Sequence, residues 1–471
     1  MRLIFSETDE NMKVVIIGTG YVGLTTAVVL ATLKHDVSAV DKDESKLRQL
    51  HEGKSPIYEP GLQSLLDSVW HTIRFTNNVA EVVPEAELIL IAVGTPPKNG
   101  IADTQYVEQA AMEVAQVCYP SRYYTLVIKS TVPIGTNRRV GKIVDKVFSE
   151  RGIEGNISVA SNPEFLQEGL ALQGAFYPDR IVIGTDRDED VDVLRRFYQP
   201  ILEQTFDPPS SFPRPAGYPP PPMMTTDLNS AEMIKYAANT FLALKISFIN
   251  EIAGLCEQVG ADVTEVARGI GLDSRIGPRF LNAGLGWGGS CYPKDTAALL
   301  GVAAQSEYTM PITQAARTIN FRQREHIVGK LQGALKTLKG KTIGILGLAF
   351  KPNTDDVREA PALDIIRRLI AEAANVRAHD PIAIPNARSV LNGLPVVFTN
   401  DVFQLAHNAD ALVLATEWDE YQMMDLGALA NRMNTPLLID GRNVYAPQAA
   451  QAAGFHYIGI GKRVDETFSP S

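Results

Sequence analysis

The sequence predicts an α/β protein in which two parallel-sheet domains are joined by a long central helix and a helical domain. Three observations carry this. An apolar run followed by glycines and a helix pattern opens near residue 13, a related unit recurs near residue 341, and a long helical pattern starts between them at residue 226. The chain has 471 residues, 45% hydrophobic and 21% charged, which suits about three domains of roughly 150 residues each.

Residues 1–11 read as an N-terminal extension, with Glu7, Asp9 and Glu10 and no apolar stretch of the targeting kind, so Met12 is a candidate start. The first domain, residues 12–206, opens with Val14-Val15-Ile16-Ile17, then Gly18-Thr19-Gly20-Tyr21-Val22-Gly23 and an apolar helix; a second strand ends in Val40-Asp41. A lone glycine pattern is a weak signal. Strand, tight turn, helix and acid in this order form the Rossmann-like fingerprint for NAD, whose ribose hydroxyls the acid binds while repelling the extra phosphate of NADP. Further apolar runs at residues 88–93, 125–128, 157–160 and 180–184 read as buried parallel strands. Polar residues gather where these strands end: Thr95, Thr131, Glu164 and Glu168. That is where ligands bind open α/β sheets.

Residues 207–222 are a proline-rich break that suits neither a helix nor a central strand. The insert, residues 207–224, reads as a solvated surface loop, with docking of a partner domain as the alternative. The central helical domain, residues 225–325, begins with a pattern that places Lys235 and Asn239 four residues apart on one face. They serve one bound group, or form an ordinary polar stripe. The last domain, residues 326–471, starts at Lys341-Thr-Ile-Gly344-Ile-Leu-Gly347-Leu-Ala-Phe350-Lys351, one glycine short of the fingerprint, which suits a mononucleotide. Runs at residues 376–379, 411–415 and 437–439 predict a second, smaller parallel sheet.

A net charge of -10 argues against nucleic acid and anionic membranes as partners, and no run is long enough to span a bilayer. Three cysteines without metal spacing, Cys118, Cys256 and Cys291, fit a reducing cytoplasmic setting with no disulfide framework and no metal site. Cys256 lies in an apolar helical stretch and reads as core. Cys291 is different. It follows Gly284-Leu285-Gly286-Trp287-Gly288-Gly289-Ser290 and precedes Tyr292-Pro293-Lys294-Asp295, a glycine run that lets backbone approach a ligand and presents a thiol beside charged groups. A helix starting near Tyr292 or Pro293 would favour its thiolate. A thiol beside a nicotinamide permits oxidation past the aldehyde, because an aldehyde has no further hydride to give until a nucleophile makes its carbon tetrahedral.

From about residue 12 to 457 the chain resembles the UDP-glucose 6-dehydrogenases, within the UDP-glucose/GDP-mannose dehydrogenase family. The resemblance rests on the fingerprint, Ser55-Pro-Ile-Tyr-Glu-Pro-Gly61, Lys129-Ser-Thr-Val-Pro133, Asn162-Pro-Glu-Phe-Leu-Gln-Glu168, residues 235–239, Asp273-Ser-Arg-Ile-Gly277, the cysteine loop, and Phe350-Lys-Pro-Asn-Thr-Asp-Asp-Val-Arg358. It implies oxidation of the C6 alcohol of UDP-glucose to a carboxylate with two NAD and one water. It also implies a cytoplasmic supply of uronic acid for acidic surface polysaccharide.

By that resemblance Cys291 carries a thiohemiacetal and then a thioester, Glu164 is the acid/base for hydrolysis, and Lys235 and Asn239 stabilise the reacting oxygen. Asp295 orders water or the lysine, and Thr131 holds that water. Gly18, Gly20, Tyr21, Val22, Gly23, Asp41, Lys46, Thr95, Thr131, Glu168, Lys294 and Arg358 would line the NAD site. Glu164, Phe165, Leu166, Glu168, Lys235, Asn239, Asn282, Gly284, Gly286, Gly288, Phe350, Lys351 and Arg442 would contact the sugar nucleotide. Arg275 would reach the site of a neighbouring subunit, implying a homodimer or higher homo-oligomer built on the central helix. Taken singly, Arg275 pairs equally well with Asp273, Thr131 with a helix end, and Lys351 with solvent. Two departures stand out: the proline-rich insert is longer than the usual family connection, and Trp287 and Tyr292 replace smaller aromatics. Rival readings are the same chemistry on GDP-mannose or a UDP-N-acetylhexosamine, a two-electron hydroxy-acid dehydrogenase that has no use for Cys291, and a non-catalytic nucleotide-sugar scaffold.

Overall fold

The computed structural model describes residues 11–98, 101–154 and 156–462; the N-terminal extension, apart from Asn11, lies outside them. The chain divides into two compact units, residues 1–237 and 238–471, and the division falls within the helix Leu228–Val259.

The first unit is built on an eight-stranded sheet: β1 (Lys13–Ile17), β2 (Asp36–Val40), β3 (Ile73–Thr76), β4 (Leu88–Ile91), β5 (Tyr124–Ile128), β6 (Ile157–Ser161), β7 (Ile181–Gly184) and β8 (Met223–Thr226), in the order β8-β7-β6-β5-β4-β1-β2-β3. β1 to β6 are mutually parallel. Every residue of β4 and β5 is buried, as expected of strands covered by helices on both faces. The chain progresses outward in both directions from the β1/β4 pair, so the crevice for a ligand lies beyond the ends of those two strands. Gly18 and the stretch from Val93 to Thr95 follow them directly.

One strand departs from expectation. β7 runs antiparallel to β6, with Ser161 opposite Gly184, whereas its apolar run read as parallel. A parallel strand needs a crossover back to the far edge of the sheet, and the connection at residues 162–180 contains only the six-residue helix Ala171–Phe176. The connection therefore stays at the carboxyl edge. It carries Glu164 and Glu168 there.

The proline-rich stretch has no regular structure before β8, which takes in Met223 and Met224 of the expected insert. Most of it is exposed, yet it is anchored: Tyr177 Oη donates to Phe212 O at 2.9 Å, and Tyr218 Oη to Pro178 O at 2.6 Å. The rings of Phe176, Tyr177, Phe206, Phe212 and Tyr218 form one cluster.

In the second unit, the helices Val263–Gly271, Tyr292–Gln305 and Pro311–Leu335 precede a six-stranded parallel sheet. Its strands are β9 (Thr342–Leu346), β10 (Asn375–His379), β11 (Val396–Phe398), β12 (Ala411–Leu414), β13 (Leu437–Asp440) and β14 (His456–Gly459), ordered β11-β10-β9-β12-β13-β14. The expected runs are β10, β12 and β13; β11 and β14 complete the edges. Cys256 belongs to this unit's core, as read from its apolar setting. Among the described residues no helix is long and apolar enough to cross a membrane.

Candidate active site

The fingerprint glycines have separate physical reasons. Gly18 has φ of 100°, and a Cβ there would lie 2.8 Å from Ala92 O, while a Cβ on Gly23 would lie 1.8 Å from Gly18 O. Both positions are closed to side chains by the protein itself. Gly20 has nothing within 4 Å of its Cβ position and caps the helix Tyr21–Thr32, whose first turn carries no acid. An open, uncharged helix N-terminus suits a pyrophosphate. Asp41 stands at the end of β2, where Oδ2 accepts from Thr19 N and Thr19 Oγ1, each at 2.7 Å. Burial works against its ionisation, but the Asp43 and Thr19 amides, the Thr19 hydroxyl and Lys46 outweigh it and hold the carboxyl below its usual range. Lys46 Nζ lies 3.9 Å away. These residues fit NAD. Thr95 joins them at the end of β4, its Oγ1 donating to Thr131 O at 2.9 Å. Val22 packs on the core. Tyr21 turns its hydroxyl onto Glu59; burial, reinforced by Glu59, pushes the phenol far above its usual range.

At the carboxyl edge of β6, Glu164 and Lys235 form a buried ion pair of 2.9 Å. Glu164 Oε2 also accepts from Leu166 N at 2.6 Å. Burial pushes this carboxyl up, but Lys235, the Leu166 amide and Lys129 prevail and hold it down, so at neutral pH it is a carboxylate able to accept a proton. Phe165 lies under two cations, Arg180 at 3.8 Å and Lys235 at 5.3 Å from the ring centre. Lys129 Nζ donates to Asn162 Oδ1 at 3.2 Å. Glu168 is half-buried two residues beyond Leu166.

In the second unit, Asp295 is fully buried between Asn239 Nδ2 at 2.6 Å and Lys294 Nζ at 2.5 Å. It sits in the first turn of the helix Tyr292–Gln305, which Cys291 caps. Cys291 is half-buried, with Ser290 Oγ 3.5 Å from its Sγ. Cys118 and Cys256 are buried, and burial raises both thiols, that of Cys118 to about 12. Of the three cysteines, Cys291 alone combines access with a helix N-terminus.

The glycines before it are required by protein packing. Cβ atoms on Gly284, Gly286 and Gly288 would meet Gly441 O at 2.7 Å, Asn320 Oδ1 at 2.4 Å and Glu359 O at 2.4 Å. Asn320 clamps the loop from both sides, accepting from Trp287 N at 2.6 Å and donating to Trp287 O at 3.0 Å. Arg442 lies against Gly284 and donates to Ala415 O at 2.9 Å and Phe350 O at 3.2 Å. Lys351 Nζ is 5.4 Å from the Phe350 ring, and Asn282 is exposed. Arg358 pairs with Asp356 at 2.7 Å, and its carbonyl accepts from Gly289 N at 2.9 Å. Arg275 pairs with Asp273 at 2.6 Å and is largely exposed.

Sequence reasoning missed three polar residues that hold these loops: Glu59, Asn320 and Lys129. Glu59 and Lys129 lay inside quoted motifs without a role. Asn320 had no local signal.

The chain matches the models of the UDP-glucose/GDP-mannose dehydrogenase family in three places: the NAD binding domain at residues 12–202, the central domain at 229–322 and the UDP binding domain at 344–447. It is 44% identical to the UDP-glucose 6-dehydrogenase TuaD of Bacillus subtilis, over 98% of this chain and 95% of that protein. Identity to the UDP-glucose 6-dehydrogenase of Rhizobium meliloti is 41%, over 96% and 100% respectively. A solved UDP-glucose dehydrogenase from the archaeon Pyrobaculum islandicum superposes with a TM-score of 0.85 at 36% identity, covering 98% of this chain and 100% of that one. Fold, fingerprint and full-length similarity agree: the chain belongs to the UDP-glucose/GDP-mannose dehydrogenase family and is an NAD-dependent oxidoreductase.

Proposed function

We propose that the protein oxidises UDP-glucose at C6 to UDP-glucuronate, with Cys291 holding the sugar between two oxidations. The observation that carries the chemistry is a half-buried cysteine at a helix N-terminus, set beside a buried Asn239-Asp295-Lys294 chain. The sugar is argued from likeness to enzymes named for UDP-glucose at 37–44% identity. A structurally similar UDP-D-ManNAc dehydrogenase from Pyrococcus horikoshii is 26% identical.

The first unit, through the Gly18–Gly23 turn and Asp41, would hold NAD, which would supply the hydride acceptor for both oxidations. The chain's residues do the rest. Lys235 and Asn239 donate hydrogen bonds to the C6 oxygen, favouring the charge that develops as its proton leaves. The Cys291 thiolate adds to the aldehyde carbon and forms a C–S bond; the second oxidation leaves a thioester. Glu164, held as a carboxylate, takes a proton from water as that water attacks the thioester, and the C–S bond breaks to return the thiolate. The balance is one alcohol, one water and two NAD giving one carboxylate, two NADH and three protons. Asp295 orders water or the lysine, Thr131 holds that water, and Glu168, Phe350, Lys351 and Arg442 hold the nucleotide. We place the enzyme in a reducing cytoplasm and read it as a homo-oligomer.

Purified protein given NAD and a panel of nucleotide sugars should form two NADH per UDP-glucose consumed and yield a uronate. A ratio of one sinks the four-electron route; preference for GDP-mannose or a UDP-N-acetylhexosamine sinks the sugar assignment; no turnover favours a binding scaffold. Cys291→Ser should bind NAD normally and produce no uronate.

A further inference from the structure

Glu59 lies in the Ser55–Gly61 motif, between the helices Glu44–His51 and Leu62–Val69, and is 5% exposed. Its Oε2 accepts from Tyr21 Oη and from Gly169 N at 2.6 Å, and its Oε1 accepts from Ala171 N at 2.7 Å. Gly169 N also lies 3.1 Å from Tyr21 Oη. Tyr21 is the first residue of the helix behind the fingerprint glycines. Gly169 has φ of 81° and directly follows Glu168, and Ala171 begins the short helix that closes the Glu164-to-Glu168 loop. One buried carboxylate therefore fastens the loop that faces the cofactor to the loop that carries Glu164, Phe165 and Glu168.

The segment bearing Glu59 is itself held in place. Ser55 N donates to Gln63 Oε1 at 2.8 Å. Gly61 has φ of 79° and lies under Phe212 of the proline-rich stretch, so close that a Cβ would come within 2.5 Å of the ring. A side chain fixed on both flanks transmits position, because neither loop can shift without breaking a buried hydrogen bond.

We infer that Glu59 is a positioning residue: it sets the register between the cofactor loop and the substrate loop, so that the C6 carbon and the hydride acceptor meet in reactive geometry. This rests on reading residues 164–168 as the substrate loop of an NAD enzyme. Glu59 touches neither reactant in this role and acts through Tyr21, Gly169 and Ala171.

Two variants test it. Glu59→Gln sets an amide N–H against at least one donor, and Tyr21→Phe removes the hydroxyl that ties the helix to the loop while leaving Glu59 on Gly169 and Ala171. Positioning predicts that kcat falls by about 10- to 100-fold in Glu59→Gln, while NAD and nucleotide-sugar dissociation constants, measured by calorimetry, change less than about threefold. The double variant should be no worse than Glu59→Gln alone, since both cut one linkage. An unchanged kcat, or losses that multiply in the double variant, overturns the proposal.

Amide hydrogen exchange reads the same linkage without turnover. Adding NAD should slow exchange at residues 164–171 in the wild type and not in Tyr21→Phe; equal protection in both overturns the linkage. If the wild type turns over no nucleotide sugar, the functional reading fails separately and the exchange result still decides the role of Glu59. If Glu59→Gln fails to fold, Tyr21→Phe carries both measurements.

Discussion

The Glu164–Lys235 pair is a single contact on which both stability and the proposed chemistry bear. Both charges are buried and pair with each other, so removing Lys235 takes from Glu164 the strongest of the influences that hold it ionised. Lys235→Met should destabilise the first unit by about 3–5 kcal/mol, the cost typical of breaking a buried ion pair from one side. The double variant Glu164→Gln/Lys235→Met removes both charges and should recover most of that loss, while uronate formation stays abolished in both. Thermal melts beside turnover assays check this; recovered activity in the double variant would remove the pair from the reaction. That Glu164 and Lys235 belong together was legible in sequence only through resemblance, because they lie 71 positions apart and no local pattern announces such a contact.

At the scale of elements, the second unit is tied at Glu257, near the end of the helix Leu228–Val259. Its carboxylate meets His326 at 2.9 Å and Lys330 at 2.8 Å on the helix Pro311–Leu335, and accepts from Gly461 N at 2.8 Å beyond β14. Burial pushes the carboxyl up, but those partners overcome it and bring it from 4.5 to about 2. A depressed carboxyl stabilises the fold fully above its unfolded value and loses that contribution as pH falls through the folded one. Glu257→Gln should therefore cost roughly 2–3 kcal/mol at pH 7, and the gap from wild type should close between about pH 4.5 and 2. Urea melts across that range test it; a gap independent of pH would mean that the charge is not what holds the helices. Such ties also mark what sequence reading reaches. Strand ends and glycine turns are legible because sheet and helix periods place them. The direction of β7 is not, since an apolar run reads alike either way. The glycines at residues 284–289 signalled close approach, and at Gly286 and Gly288 the protein neighbours that approach are Asn320 and Glu359, which no local pattern announces.

For the whole molecule, the proposed assembly is argued from one face of the central helix. Phe241, Phe248 and Leu255 recur every seven residues and are 60%, 44% and 58% exposed, with Val259 continuing the stripe at 66%. A heptad stripe of bare aromatic and aliphatic side chains is the pattern of a helix that packs against another. Lys245, on the same face, donates to Ile276 O at 3.0 Å, which brings the loop carrying exposed Arg275 beside the stripe. If two copies pair there, Arg275 is delivered to the boundary between them. Phe248→Glu should then convert the oligomer to monomers in light scattering and abolish activity. Arg275→Ala should leave the oligomer intact and raise KM for the nucleotide sugar about tenfold or more, the loss expected for a charged hydrogen-bond partner. A wild type that is monomeric at micromolar concentration, or a Phe248→Glu monomer with full turnover, would show that each chain completes its own site.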